Sequence, residues 1–298
     1  MKISIIGTGY VGLVTAVSLA ELGHSVWAVN RTPAKIEKLN KGELIYYEPG
    51  LAPLLKKNLK RRRLYFTNDF AQAINNSDFV FICVGTPPLA DGSADLSAVK
   101  TVANQISKTA KKNLIVINKS TVPVGTGQVV EKILKKNGNK FEVVSCPEFL
   151  REGKAIYDFF NPDRIIVGAT KQSIGYKVMN LFSKIQARKL VTNRETSELV
   201  KYAANAFLAT KISFINEIAN YCERVGADVD EVAKGIGLDK RINPYFLNAG
   251  IGYGGSCFPK DVKALKQHAG SNGYNFRLLK SVIEVNNQQR KLVIKKAK

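Results

Sequence analysis

Short apolar, β-branched runs alternate with amphipathic stretches through the first half of the chain. Residues 2–6, 25–29, 64–66, 79–84, 114–118 and 141–145 read as strands, and 164–167 adds another after Asn161-Pro162-Asp163. Between them, residues 11–22, 33–40, 96–109 and 127–136 carry helical periodicity. Strands that are apolar at nearly every position are buried on both faces, and helices between successive strands supply that cover. The pattern predicts an α/β fold with a doubly wound parallel sheet. From about Thr192 the period lengthens. Leu199, Ala203, Ala206, Ala209, Ile212, Phe214, Ile218 and Tyr221 form a stripe without proline, so Arg194–Val225 is expected to be one long central helix. Gly226 stops it, and Asp228-Val229-Asp230-Glu231 resembles a capping box opening the next helix. The expected division is therefore a sheet domain at 1–192 and a mainly helical domain at 193–298, joined near 170–193. The long helix suits either an intramolecular core or a homodimer.

Composition narrows the function classes. With 298 residues, 45% hydrophobic and 23% charged, the chain is an ordinary globular protein of two domains. No apolar run approaches the roughly 20 residues of a membrane span. Gly7 interrupts the N-terminal apolar run where a signal peptide would continue, so a cytoplasmic protein is expected. Cys83, Cys146, Cys222 and Cys257 lie far apart and the histidines are His24 and His268, which argues against disulfides and against a metal site. The net charge of +21 attracts polyanions. Its densest run, Lys56-Lys57-Asn58-Leu59-Lys60-Arg61-Arg62-Arg63, fits a solvated helix end, and without stacking aromatics or a reading helix no specific nucleic acid is expected.

Three local patterns carry chemistry. Gly7-Thr8-Gly9-Tyr10-Val11-Gly12 directly follows the first strand and opens the first helix. Gly7 permits the tight turn, Gly9 admits a pyrophosphate to the backbone, and Gly12 lets helix and strand pack closely. The helix N-terminus offers N–H groups and a positive dipole end to phosphates, so a dinucleotide site of Rossmann type is expected. Cys257 lies in a loop with four glycines in eight residues, leading into a helix, where a thiolate nucleophile is favoured. Lys201 and Asn205, one turn apart on the long helix, are candidate donors to an oxyanion; the alternative is an exposed polar face. Further polar clusters follow strand ends at Gly85-Thr86, Ser120-Thr121 and 146–153.

Seven motifs taken together resemble the UDP-glucose 6-dehydrogenases, within the nucleotide-sugar dehydrogenases. They are G-T-G-Y-V-G, Y-E-P-G-L (47–51), V-G-T-P (84–87), S-T-V-P-V-G (120–125), P-E-F-L-R-E-G (147–153), E-L-V-K-Y-A-A-N-A-F-L-A (198–209) and G-Y-G-G-S-C-F-P-K-D (252–261). The resemblance covers essentially the whole chain. It implies oxidation of a sugar C6 alcohol to a carboxylate in two nicotinamide-dependent steps, with Cys257 carrying a hemithioacetal and then a thioester that water hydrolyses. It implies proton handling by Glu148, Asp261 and Thr121, and oxyanion stabilisation by Lys201 and Asn205. For the sugar nucleotide it implies contacts from Glu148, Phe149, Leu150, Arg151, Lys201, Asn205, Arg241, Tyr245, Phe246, Leu247, Gly254 and Cys257. For NAD or NADP it implies contacts from Gly7, Gly9, Tyr10, Val11, Gly12, Asn30, Arg31, Lys35, Val84, Gly85, Thr86, Ser120, Thr121 and Glu152. The GDP-mannose and UDP-N-acetylmannosamine enzymes share much of this pattern. A one-step 3-hydroxyacid-type dehydrogenase and a non-catalytic dinucleotide-binding module are the competing readings; a two-electron enzyme has no need of Cys257.

Two features depart from the family. Its members continue into a third α/β domain that closes over the UDP end, so weak or undetectable turnover with retained cofactor binding is expected of a chain ending at Lys298. The second departure is Asn30, where NAD-binding folds place an acid on the ribose. Asn30-Arg31-Thr32 removes that acid's repulsion of a 2′-phosphate, and Arg31 offers charge-assisted bonds of ~1.5–3 kcal/mol each. NADP is therefore expected to bind at least as well as NAD.

Overall fold

A computed structural model describes residues 1–138 and 141–297. Among the described residues eight strands form one sheet: β1 Lys2–Ile6, β2 Ser25–Val29, β3 Leu64–Thr67, β4 Phe79–Ile82, β5 Leu114–Asn118, β6 Phe141–Ser145, β7 Arg164–Ala169 and β8 Arg188–Thr192. The helices of its surroundings are α1 Tyr10–Glu21, α2 Pro33–Asn40, α3 Leu51–Lys60, α4 Phe70–Asn75, α5 Ser97–Thr109, α6 Thr126–Leu134, α7 Ala155–Phe160 and α8 Gln172–Met179. They are followed by α9 Arg194–Val225, α10 Val229–Gly237, α11 Phe258–Ser271 and α12 Arg277–Ala297. The strand order is β3-β2-β1-β4-β5-β6-β7-β8. Alternate residues of β4 serve opposite faces. Phe79 and Phe81 join a core with α1, α3 and α7, while Val80 and Ile82 join one with α4, α5 and α6. This is the doubly wound arrangement that continuous apolar strands predict.

The chain packs as two compact units, Met1–Thr86 with Asp95–Lys201, and Pro87–Ala94 with Tyr202–Lys298. The division falls inside α9. In the second unit Tyr202, Ala206 and Ala209 of α9 pack with Val262 and Leu265 of α11 and with Leu279 and Val282 of α12.

Several expectations are corrected. The sheet is not wholly parallel: β7 runs antiparallel to β6, with Val144 opposite Ala169. β4 ends at Ile82, two residues early: beyond it the Val84 carbonyl accepts the Ser120 hydroxyl at 2.7 Å. The segment read as a join contains α8 and β8. β8 escapes the apolar pattern because it pairs on one side only and begins with exposed Arg188 and Lys189. An edge strand bearing cations is a common guard against edge-to-edge association.

The long helix runs Arg194–Val225 as its stripe predicts, and Gly226 follows it at φ +73°. Asp228 caps α10 by accepting the N–H of Asp230 at 2.8 Å. Close approach explains Gly168 on β7: a Cβ there would lie 2.5 Å from the Ser197 Cβ and 2.6 Å from the Asn193 carbonyl. Glycine at this position lets the start of α9 lie directly on the sheet.

Candidate active site

In the first unit the loops that follow β1, β4, β5 and β6 leave the same edge of the sheet, the C-terminal ends of parallel strands. Strand order reverses between β1 and β4, the switch point at which open α/β sheets take ligands. Gly7 adopts φ +101°, and a Cβ there would sit 2.7 Å from the Cys83 carbonyl. A Cβ on Gly12 would meet the Gly7 carbonyl at 1.9 Å. Gly9, the N-cap of α1, has open space where its Cβ would be. Two glycines are thus packing necessities, and the third leaves room for a ligand.

The cradle is braced from two directions. Asn30 donates to the Thr8 hydroxyl at 2.6 Å and accepts the Thr32 N–H at 2.8 Å, so its amide joins the glycine turn to the end of β2. Arg31 and Lys35 beyond it are exposed. On the other side buried Glu48 accepts from the Tyr10 hydroxyl and from the N–H groups of Gly153 (2.9 Å) and Ala155 (2.7 Å). Burial and the Glu48 hydrogen bond push the Tyr10 hydroxyl well above its usual range, so it stays protonated and donating. Tyr46 adds a hydrogen bond to the Tyr10 carbonyl at 3.0 Å. Glu48 lies within the motif at 47–51 and Tyr46 just before it, and the motif alone gave neither of these bracing contacts.

Val84, Gly85 and Thr86 follow β4, and Ser120 and Thr121 follow β5. The Thr86 hydroxyl donates to the Thr121 carbonyl at 2.8 Å, tying the two loops together. Lys201 is buried, not on an exposed face. Its ammonium lies 3.3 Å from Glu148 Oε1 and 5.3 Å from the Phe149 ring centre. Glu148 Oε2 accepts the Leu150 N–H at 2.6 Å, and the Arg164 guanidinium stacks on Phe149 at 4.2 Å. A buried ion pair costs desolvation, and removing one partner strands the other charge. Buried Lys119, which sequence reasoning passed over, reaches the Pro147 carbonyl at 3.4 Å, just before Glu148. Arg151 is held by Asp158 through two guanidinium contacts, at 2.9 and 2.5 Å, and Glu152 is exposed.

In the second unit Cys257 is the exposed N-cap of α11, with its sulfur 3.5 Å from the Ser256 hydroxyl. Cys83, Cys146 and Cys222 are buried, and burial pushes the Cys83 thiol up to about 12. One turn into α11, Asp261 is buried and accepts from Asn205 and Lys260, each at 2.6 Å. Asn205 is therefore drawn into a carboxylate–ammonium cluster on the same helical turn as the cysteine. Arg241 pairs with Asp239 at 2.6 Å, Leu247 is buried, and Tyr245 and Phe246 are exposed, Phe246 at φ +64°. Gly254 is exposed in the loop before Cys257. No three His, Cys, Asp or Glu side chains among the described residues gather as metal ligands. No helix among the described residues is long and apolar enough to cross a membrane.

The sheet order, the glycine turn and the strand-end loops define a Rossmann-type dinucleotide-binding domain followed by a helical domain. Residues 1–186 match the NAD-binding domain of the UDP-glucose/GDP-mannose dehydrogenase family, and 195–288 match its central domain. The chain belongs to that family. It is 51% identical over 298 residues to UDP-glucose 6-dehydrogenase TuaD of Bacillus subtilis, covering 99% of this chain and 65% of the relative. It is 46% identical to the UDP-glucose 6-dehydrogenase of Pseudomonas aeruginosa, covering 98% of this chain and 67% of the relative. Among solved structures, the UDP-glucose dehydrogenase of Pyrobaculum islandicum superposes with a TM-score of 0.93 at 42% identity, over 96% of this chain and 68% of that one. The chain thus spans about two thirds of the length of the curated relatives it matches.

Glu198 generates a test of the site's scaffold. It accepts from the N–H groups of Gly125 (2.8 Å) and Gly127 (2.9 Å) and from the Ser145 hydroxyl (2.8 Å). Burial outweighs these bonds and raises its pKa above the ordinary 4.5. A raised folded value means its contribution to stability is full below the unfolded value and declines as pH rises through the folded value. The stability of the parent minus that of Glu198→Gln should therefore shrink as pH rises from about 4.5 toward neutrality. Urea melts of both proteins across that range measure the difference, and a difference that grows with pH would contradict the assignment.

Proposed function

We propose that this chain carries the catalytic core of a UDP-glucose 6-dehydrogenase, oxidising the C6 alcohol of UDP-glucose to the carboxylate of UDP-glucuronate. Cys257 carries the reading: an exposed thiol capping α11, one turn from buried Asp261 and its partners Asn205 and Lys260, suits a covalent route and has no task in a single oxidation. The GDP-mannose and UDP-N-acetylmannosamine enzymes are the alternative within the family, and a non-catalytic dinucleotide-binding module is the alternative outside it.

The cradle fits a nicotinamide dinucleotide, because Gly9 leaves open space at the N-terminus of α1 where a phosphate would approach. Gly7, Gly9, Tyr10, Val11 and Gly12 would hold the pyrophosphate, and Val84, Gly85, Thr86, Ser120, Thr121 and Glu152 the nicotinamide half. When bound, the nicotinamide supplies the hydride acceptor for both oxidations. Lys201 and Asn205 donate hydrogen bonds to the C6 oxygen as negative charge develops on it. Glu148 accepts the alcohol proton. At the aldehyde stage the Cys257 sulfur bonds to C6. After the second oxidation the thioester is cleaved by water, whose proton passes to a carboxylate, Glu148 or Asp261, as the C–S bond breaks and the thiolate leaves. Phe149, Leu150, Arg151, Arg241, Tyr245, Phe246, Leu247 and Gly254 are assigned to the sugar nucleotide.

Two finer assignments belong to the same proposal. Asn30 is neutral and its amide is already engaged by Thr8 and Thr32, so nothing there repels a 2′-phosphate, and exposed Arg31 and Lys35 are available to bind one. The chain is therefore assigned NADP at least as readily as NAD. On α9, Phe207, Phe214 and Tyr221 recur every seventh residue at 65%, 50% and 62% exposure, an aromatic stripe suited to a second copy of the chain. A free nucleophilic thiol and a nicotinamide cofactor fit a cytoplasmic setting.

Cys257→Ser should abolish release of UDP-glucuronate, leaving at most a slow or trapped adduct, as followed by chromatography of the sugar nucleotides. Acid formed at the parent rate would return the assignment to a one-step dehydrogenase. Calorimetric titration at low salt should show NADP binding at least as tightly as NAD, with Asn30→Asp plus Arg31→Ile restoring NAD preference. NAD tighter by about tenfold in the parent, or 1.4 kcal/mol, would defeat that assignment. Sedimentation at roughly tens of micromolar should report a dimer that Phe214→Glu dissociates, concentration being part of any such equilibrium. A monomeric parent would refute the α9 interface.

A further inference from the structure

Asn286, Gln289 and Arg290 stand at i, i+3 and i+4 on α12 and so share one face of that helix. All three reach backbone groups of one loop. Asn286 Oδ1 accepts the Tyr253 N–H at 2.7 Å while its Nδ2 donates to the Tyr253 carbonyl at 3.2 Å. Arg290 donates to the same carbonyl at 2.6 Å. Gln289 donates to the Gly250 carbonyl at 2.8 Å and is itself braced by Asn220 at 2.9 Å. From α9, Asn216 accepts the Gly250 N–H at 2.7 Å. Asn216, Asn286 and Gln289 are buried, so these amides were desolvated to make the contacts.

The loop is shaped to be held this way. Gly252 adopts φ +99°, and a Cβ on it would lie 2.3 Å from Asn286 Oδ1. Beyond Tyr253 come Gly254 and Gly255, the latter at φ +77°, so backbone stiffness alone does not fix the position of Ser256 and Cys257. A side-chain contact bypasses that soft link. The buried Tyr253 ring packs edge-on against Phe258, with centres 6.4 Å apart at 90°. Phe258 is the first residue of α11, and Cys257 is its N-cap.

We propose that Asn286 and Arg290 are positioning residues for Cys257: they clamp the Tyr253 backbone, and the Tyr253 ring seats the N-terminus of α11. The proposal rests on Cys257 being the nucleophile of the proposed oxidation. Small displacements of a reacting group cost much in rate, up to about a hundredfold for 1 Å. Both residues sit on the last helix, remote in sequence from every motif that carries the family resemblance.

The test uses the full chain with UDP-glucose, comparing Asn286→Ala, Arg290→Met and Arg290→Lys with the parent. The first two should lower kcat by about tenfold or more while KM for the sugar nucleotide stays within about twofold, the pattern of an interaction that matters in the transition state. Arg290→Lys should recover most of kcat, because its ammonium can donate to the same carbonyl. Hydrogen exchange at the Tyr253 amide should quicken in Asn286→Ala by about tenfold or more, since its acceptor is gone. Parent kcat in both truncating variants, or loss confined to KM, would overturn the proposal. Should Asn286→Ala fail to fold, Arg290→Met carries the kinetic test with Asn286 in place. If the parent itself does not oxidise UDP-glucose, the kinetic arm bears on the functional reading alone, and Tyr253 exchange decides the clamp: exchange unchanged in Asn286→Ala would overturn it.

Discussion

The carboxylate of Glu198 is the contact on which the first unit's site depends. It takes two N–H groups at the start of α6 and one hydroxyl at the end of β6, so one side chain fixes the loops that follow β5 and β6. Thr121 lies in the first of these loops and Glu148 in the second. Lys201 follows Glu198 by three residues on α9, hence on the same helical face, and meets Glu148 at 3.3 Å. A carboxylate at a helix N-terminus is stabilised by the helix dipole, which offsets part of its burial cost. The sequence constraints around it are steric. A Cβ on Gly127 would approach Arg194 at 3.0 Å and Glu198 at 3.1 Å, and one on Gly168 would collide with Ser197. Small residues on the sheet side are what allow α9 to bring its charged groups this close.

Several buried charged groups in the two units are placed where donors or a counter-ion compensate them. Glu48 has three donors, Glu198 three, and Asp261 an amide and an ammonium. Lys201 has a carboxylate and an aromatic face. Such arrangements contribute little net stability compared with apolar packing, since desolvation cancels most of the attraction. Their value lies in geometry. A group with several fixed partners has one low-energy position, which is what a preorganised site requires.

Local physics is legible in the sequence. Apolar runs mark β1, β2, β4, β5 and β6, because buried parallel strands leave few polar positions to confuse the pattern. The stripe on α9 marks a helix of 32 residues, and the glycine turn marks the cradle. Legibility ends where tertiary context decides. β8 reads as charged coil because its exposed edge needs no apolar residues, and the reversal of β7 leaves no trace in its composition. Lys201 and Asn205 are compatible with an exposed pair because helical spacing says which residues share a face, not what that face meets. Glu48 and Glu198 lie inside family motifs and Lys119 directly beside one. Even so, a carboxylate that gathers backbone N–H groups from distant loops has no signature along the chain.

Asn30 shows how a single amide can brace a glycine turn. An aspartate there would present two acceptors toward the ribose and carry charge at the mouth of the cradle. Asparagine keeps one acceptor, which the Thr32 N–H occupies, and gains a donor, which the Thr8 hydroxyl receives at 2.6 Å. Thr8 lies between the two glycines that shape the turn, so the donor reinforces the cradle itself. Aspartate has no donor to offer at that point. The amide therefore acts as a brace, and the residues beyond it, Arg31 and Lys35, are exposed. Both are cations. With a neutral residue at position 30, these cations are the charged side chains that follow the end of β2.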